Sequence, residues 1–103
     1  MIEVQLFIPV ADNNGTAFSP AHHDRFEQEL LVLFGFSSRL PGTVSGQWTS
    51  GGTVYRDELR VYLVGVPGLL AAADAVRAAA EFAKLHYTQL NLYVRYLGVS
   101  EIL

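Results

Sequence analysis

Apolar and polar residues alternate from Ile2 to Ile8, with Ile2, Val4, Leu6 and Ile8 on one side and Glu3, Gln5 and Phe7 on the other. That period of two marks a half-buried strand, predicted over residues 2–10, with Pro9 at its rim because proline has no N–H for a ladder. Asp12-Asn13-Asn14-Gly15 is turn chemistry, and Ser19-Pro20 reads as an N-cap followed by proline in the first helical turn. The apolar spacing then lengthens to that of a helix over 20–34. Phe26, Leu30, Leu33 and Phe34 form its inner stripe, Asp24, Arg25, Gln28 and Glu29 its wet side, and Gly35 its stop.

Two further strands, 43–49 and 53–64, flank Gly51-Gly52, which suits a two-residue primed hairpin turn. Such a turn sets Trp48 opposite Tyr55, Gly46 opposite Asp57 and Val44 opposite Leu59. Leu59, Val61 and Leu63 suggest that this face is the helix side, which carries Asp57 inward with it. After Val66-Pro67-Gly68, residues 69–86 are predicted as an alanine-rich helix with the stripe Leu70, Ala73, Val76, Ala80, Ala83 and Tyr87. Asp74, Arg77, Glu81 and Lys84 form an opposite-charge ladder on its other side. Residues 89–97 close the pattern as a strand, Leu90, Leu92, Val94 and Tyr96 facing one way and Asn91, Tyr93 and Arg95 the other. Strand, helix, strand, strand, helix, strand, joined by right-handed crossovers, is the ferredoxin-like α+β sandwich. The expectation is one domain over 1–103, a four-stranded antiparallel sheet with both helices on one face.

Composition fits a single folded domain: of 103 residues, 50% are hydrophobic, 12% aromatic and 17% charged, enough apolar material for a core. The absence of cysteine excludes disulfides, thiolate zinc sites and cysteine nucleophiles. Seven basic against ten acidic side chains, with no basic run, argue against a nucleic-acid partner. No apolar run approaches the roughly 18 residues of a membrane span, and the first residues lack the basic start of a signal peptide. The cytoplasm is therefore the expected compartment.

In this register the uncovered sheet face collects Ser45, Gln47, Arg56, Glu58, Arg60 and Tyr62, together with Glu3, Gln5, Phe7, Gln89, Asn91, Tyr93 and Arg95. Water covers such a face in many antiparallel sheets. Its aromatic residues and the single lysine of the chain point instead to a second copy, in a homodimer of two sheets packed face to face. The lumen of that dimeric α/β barrel would hold Glu3, Glu58, Arg60 and Arg95 as ion pairs and suit a small polar or anionic ligand.

Within this frame the candidate catalytic residues are Asp57, Glu58 and Tyr62, and the candidate ligand-binding residues are Trp48, Arg60, Gln89, Tyr93 and Arg95. Asp57, on an apolar face, has the setting of a carboxyl with raised pKa, although a position beyond the helices or a bulge that rotates it outward is the commoner outcome. Glu58, Arg60 and Tyr62 share a face at i,i+2 spacing and could supply a base, an anion clamp and a phenol; cross-strand ion pairing explains the same pattern without chemistry. Trp48 suits either a core cap on Tyr55 or an aromatic platform for a ligand. His22 and His23 diverge by about 100° on their helix and His86 lies on another, so no metal site is expected, and no cofactor fingerprint is present.

Gly46-Gln47-Trp48, then Gly52-Thr53-Val54-Tyr55-Arg56-Asp57-Glu58, and later Tyr87-Thr88-Gln89-Leu90, resemble small uncharacterised bacterial proteins with a G-x-W, a G-x-x-Y-x-D-E strand and a glutamine opening the last strand. The resemblance implies a ferredoxin-like fold of the dimeric α/β-barrel type and marks Trp48, Asp57, Glu58 and Gln89 as site or fold-determining positions. Leu90 departs from it, standing where that pattern has a polar or acidic residue. Three functions follow as expectations: a small-molecule-binding homodimer, a cofactor-independent acid/base enzyme (isomerase, cyclase or dehydratase type) on a small carbonyl compound, and a protein-interaction module.

Overall fold

A computed structural model describes residues 1–99. Its elements are β1 (Ile2–Pro9), α1 (Pro20–Phe34), β2 (Ser38–Arg39), β3 (Val44–Ser50), β4 (Thr53–Val66), α2 (Leu69–His86) and β5 (Tyr93–Val99). The fold is the expected ferredoxin-like α+β type, but among the described residues the antiparallel sheet has five strands, ordered β2-β4-β1-β5 with β3 also on β4. The additional strand, β2, is two residues long and pairs Ser38 with Leu63 and Arg39 with Tyr62, too short to leave a period in the sequence.

Local chemistry sets the element ends. Ser19 Oγ accepts the His22 N–H at 3.1 Å to cap α1, and Gly35, at φ 80°, turns its N–H back to the Leu31 carbonyl at 2.9 Å. Gly51 and Gly52, at φ 57° and 80°, form the primed turn, and the β3/β4 register follows as expected, Trp48 on Tyr55 and Gly46 on Asp57.

The faces of β4 are the reverse of the expectation. β1 pairs Leu6 with Tyr62 and Val4 with Val64, and directly opposed residues share a face. Val4, Leu6, Ile8, Tyr62 and Val64 therefore lie under the helices with Phe26, Leu30, Val76, Ala79, Ala83 and Tyr87. Arg56, Glu58, Arg60 and Tyr62, expected on the open face, belong to the helix side with Ser45 and Gln47, and Asp57 belongs to the open face. The difference has a physical cause: Val61 to Val66 is apolar on both faces, so periodicity does not choose between them. The open face is consequently more apolar than its expected composition. Val61, paired with Phe7, is 2% exposed although it faces away from the helices.

Two smaller corrections concern α2 and β5. Leu70, expected in the buried stripe, is 89% exposed, and the stripe runs through Val76, Ala79, Ala83 and Tyr87. β5 starts at Tyr93 rather than 89. Continuing its pairing of Phe7 with Tyr93 would put Asn91 opposite Pro9, which has no N–H to donate, so residues 89–92 leave the sheet.

α1 and α2 are clasped by histidines that the sequence left apart. His22 and His86 stack at 3.7 Å, and each Nε2–H donates to the other's backbone carbonyl, at 2.6 and 2.7 Å. His23, 3% exposed, is hydrogen-bonded through Nδ1 to the buried Tyr87 Oη at 2.7 Å. Burial, reinforced by the Arg60 charge, lowers the His23 pKa from 6.5 to about 4, while burial raises that of Tyr87.

Two outcomes are expected in chemical denaturation. Tyr62→Ala removes a fully buried ring and costs about 3 kcal/mol or more, whereas Tyr55→Ala, on the exposed hairpin, costs under about 1 kcal/mol. Equal losses would refute the β4 facing. Between pH 6.5 and about 4 the unfolded chain takes up a proton that folded His23 refuses, so stability declines as pH falls through that window. The decline due to His23 is on the order of 2 kcal/mol, and His23→Gln should remove it from the stability-versus-pH curve.

Candidate functional site

Three helix-side polar residues on β4, Glu58, Arg60 and Tyr62, are occupied structurally. Tyr62 Oη donates to Glu27 Oε2 at 2.9 Å, Arg60 Nη1 donates to Tyr62 Oη at 3.2 Å, and Arg60 and Glu27 approach to 3.5 Å. This triad ties β4 to α1 and takes Arg60 and Tyr62 away from the open face. Burial of the phenol raises the Tyr62 pKa. Glu58 accepts hydrogen bonds from Ser45 Oγ and from Thr43 Oγ1. Those bonds, Ser45 first, lower its carboxyl pKa, the opposite direction from a general acid near neutrality.

The open face has a different character. β1 pairs with β4 only from Leu59 onward, so β3 and the first half of β4 project as a two-stranded arm, and the molecule measures 43 × 31 × 24 Å. Between the open side of this arm and the segment leading into β5 lies a groove of about 700 Å³. Trp48, Val44 and Leu59 form its arm wall, Phe7 and Pro9 line it from β1, and Gln89, Leu90, Asn91 and Tyr93 form the opposite wall. Trp48 stacks on Tyr55 at 4.6 Å, keeps 52% of its surface exposed and donates Nε1–H to Asp57 Oδ2 at 2.9 Å. Phe7 and Tyr93 meet edge to face at 5.0 Å. Gly46 stands across from Asp57, where a Cβ would come within 3.1 Å of Leu59 Cδ1.

Four of the eight candidate residues thus converge on one groove: Trp48, Asp57, Gln89 and Tyr93. Arg95 shares the open face through its pairing with Gln5 but does not line the groove, and Glu58, Arg60 and Tyr62 lie on the other side of the sheet. The sequence reading did not single out Phe7, Leu59, Asn13 and Asn91 as site residues. Asn91 could have been found from its alternation with Tyr93, and Phe7 from its alternation with Glu3 and Gln5; Asn13, from the first turn, had no sequence signal.

The far wall depends on one backbone conformation. Just past the Tyr87 cap of α2, Thr88 stands at φ 54°, a left-handed position that β-branched residues rarely adopt, and the Gln89 N–H returns to the Lys84 carbonyl at 2.8 Å. Gln89 Nε2 donates to the Tyr87 carbonyl at 3.2 Å, fixing that side chain at the turn.

A small ferredoxin-like α+β domain with a groove on its open sheet face is therefore the class defined by the fold. Neither family models nor curated proteins match the sequence. Solved structures do match in fold. The divalent cation tolerance protein CutA1 of Thermus thermophilus superposes with a TM-score of 0.65 at 17% identity, over 97% of this chain and 84% of that one. The periplasmic divalent cation tolerance protein CutA of Archaeoglobus fulgidus gives 0.67 at 12% identity, over 99% and 86%. A phage SAM lyase in complex with S-methyl-5′-thioadenosine gives 0.67 at 11% identity, over 94% and 80%. At these identities the shared property is the fold. No helix among the described residues is long and apolar enough to cross a membrane, and no cluster of three or more His, Asp or Glu among them is arranged to hold a metal ion.

Thr88→Gly should relieve the left-handed strain and raise stability by roughly 0.5–1 kcal/mol, a gain readable as a higher denaturation midpoint. A loss would mean that the Thr88 side chain holds the turn in some other way.

Proposed function

We propose that this chain is a small-molecule-binding domain of the cytoplasm that self-associates through its open sheet face, with the groove beside Trp48 as its ligand site. The groove is the observation that carries the proposal. Its volume of about 700 Å³ is in the range of ligand sites, and aromatic surface alternates there with carboxamides and a carboxylate. The phage lyase structure adds that a fold of this kind accommodates a small adenosine-type compound.

Self-association is supported by what the open face leaves uncovered. Leu59, Leu63 and Phe7, half-buried on the open face, continue into the exposed Val44, Trp48 and Tyr55 on the arm, an apolar surface larger than isolated exposed residues account for. A two-stranded ribbon is marginal alone, and the arm is stabilised if another copy lies against it. A homodimer with its sheets face to face is the simplest closed form; a ring in which each arm reaches the next copy is the other. The acid/base alternative is favoured by one observation, the position of Asp57 in the groove, and makes Asp57 the base without Glu58 or Tyr62.

Native mass spectrometry of freshly purified protein tests the proposal. The expected species is a multiple of 11.3 kDa carrying an additional small mass, and Leu63→Lys on the open face should shift the population toward monomer. A bare monomer at micromolar concentration would overturn both halves.

A further inference from the structure

The lining of the groove is selective in charge. Among the described residues that line it, Asp57 is the one charged side chain, and none is lysine, arginine or histidine. Arg60, the cation expected at this site, is held by Glu27 and Tyr62 on the opposite side of the sheet, and Arg95 lies further along the open face beside Gln5. Asp57 commits Oδ2 to the Trp48 indole N–H, and the hydrogen bonds described for it leave Oδ1 available to a ligand. Trp48 and Tyr93 stand on the two walls, and aromatic faces attract cations as a carboxylate does. Every charged or π-bearing group described here therefore favours positive charge, and none neutralises an anion.

Resting on the small-molecule reading above, we infer that the ligand is an organic cation with a planar aromatic ring, the ring lying between the Trp48 and Tyr93 walls and its positive group at Asp57. This reverses the polar or anionic ligand expected from the sequence, and the reversal follows directly from the facing of β4. Odd-numbered residues bring Asp57 into the groove, while the even-numbered Arg56 and Arg60 belong to the other face. Carboxamides of Asn13, Gln89 and Asn91 line the remaining wall and can bond the polar edge of a heterocycle without adding charge.

A matched series isolates the charge: tryptamine, 3-methylindole and indole-3-acetate share one ring and differ in carrying a cation, no charge or an anion. The protein has one tryptophan, so a ¹⁵N-labelled sample shows one indole N–H signal, and that signal reports on the groove itself. Titration should shift it with tryptamine binding roughly tenfold or more tighter than indole-3-acetate, 3-methylindole falling between. Asp57→Asn, which keeps an oxygen for the Trp48 N–H, should bring the two charged probes to within about twofold. Asp74→Asn on the exposed side of α2 removes the same unit of charge far from the groove and should leave the preference intact. The preference should also shrink as salt is raised. If the three probes bind alike, or the anion binds tightest, the charge inference fails while the binding site stands. If no probe moves the indole signal, the groove is not a small-molecule site and both fall. A preference that survives Asp57→Asn would also overturn the inference, because it would place the selectivity elsewhere.

Discussion

Most of this architecture hangs on the pairing of β4 with three different strands. At 14 residues β4 is about twice as long as most of its partners: β1 covers Leu59–Val66, β3 covers Thr53–Leu59, and β2 holds Tyr62 and Leu63. The second half is a conventional sheet strand with helices on one side. In the first half only β3 pairs, so it becomes an arm beyond the core. From this unequal length come both the elongated shape and the concavity between arm and sheet. The alternation of β4 then distributes the chemistry, sending Arg60 and Tyr62 to lock α1 through Glu27 and Asp57 to the groove.

The other wall of the groove is made by a failure of pairing. Pro9 closes β1 without a donor, so β5 begins only at Tyr93, and the four residues before it are released to line the groove. Thr88 sets their direction through a left-handed turn that glycine would adopt more easily. A strained residue and a truncated strand beside a cavity fit a wall shaped for something other than stability alone.

Much of the fold was legible because its signals are local. The Ser19 cap, the Gly35 stop and the Gly51-Gly52 turn each specify their own geometry, and the turn alone set the β3/β4 register correctly. What failed was the assignment of faces, which depends on partners distant in sequence. Leu59, Val61 and Leu63 look like a core stripe, and only the pairing with β1 shows that Tyr62 and Val64 are the core residues. That error relocated Asp57, Glu58, Arg60 and Tyr62 together. Tyr93 was unaffected because β5 alternates clearly, whereas Gln89 reaches the groove from the segment before that strand. The clasp of His22 with His86 was illegible for the same reason as the groove: it joins residues 64 positions apart, and neither has a local pattern that names the other.

Adjacent carboxylates show how far the facing of one strand determines chemistry. Asp57 and Glu58 differ by one methylene and one position, yet two hydroxyls satisfy Glu58 on a solvated face, while Asp57 bonds an indole at the edge of an aromatic groove. A one-residue slip in β4 would exchange them and bring Arg56 to the same face, offsetting the negative charge that now lines the groove. Such a slip is resisted from both ends: the Gly51-Gly52 turn fixes β4 against β3, and the buried Tyr62 and Val64 fix it against β1. The hydrophobic core and the hairpin turn are thus what set the charge that lines the groove.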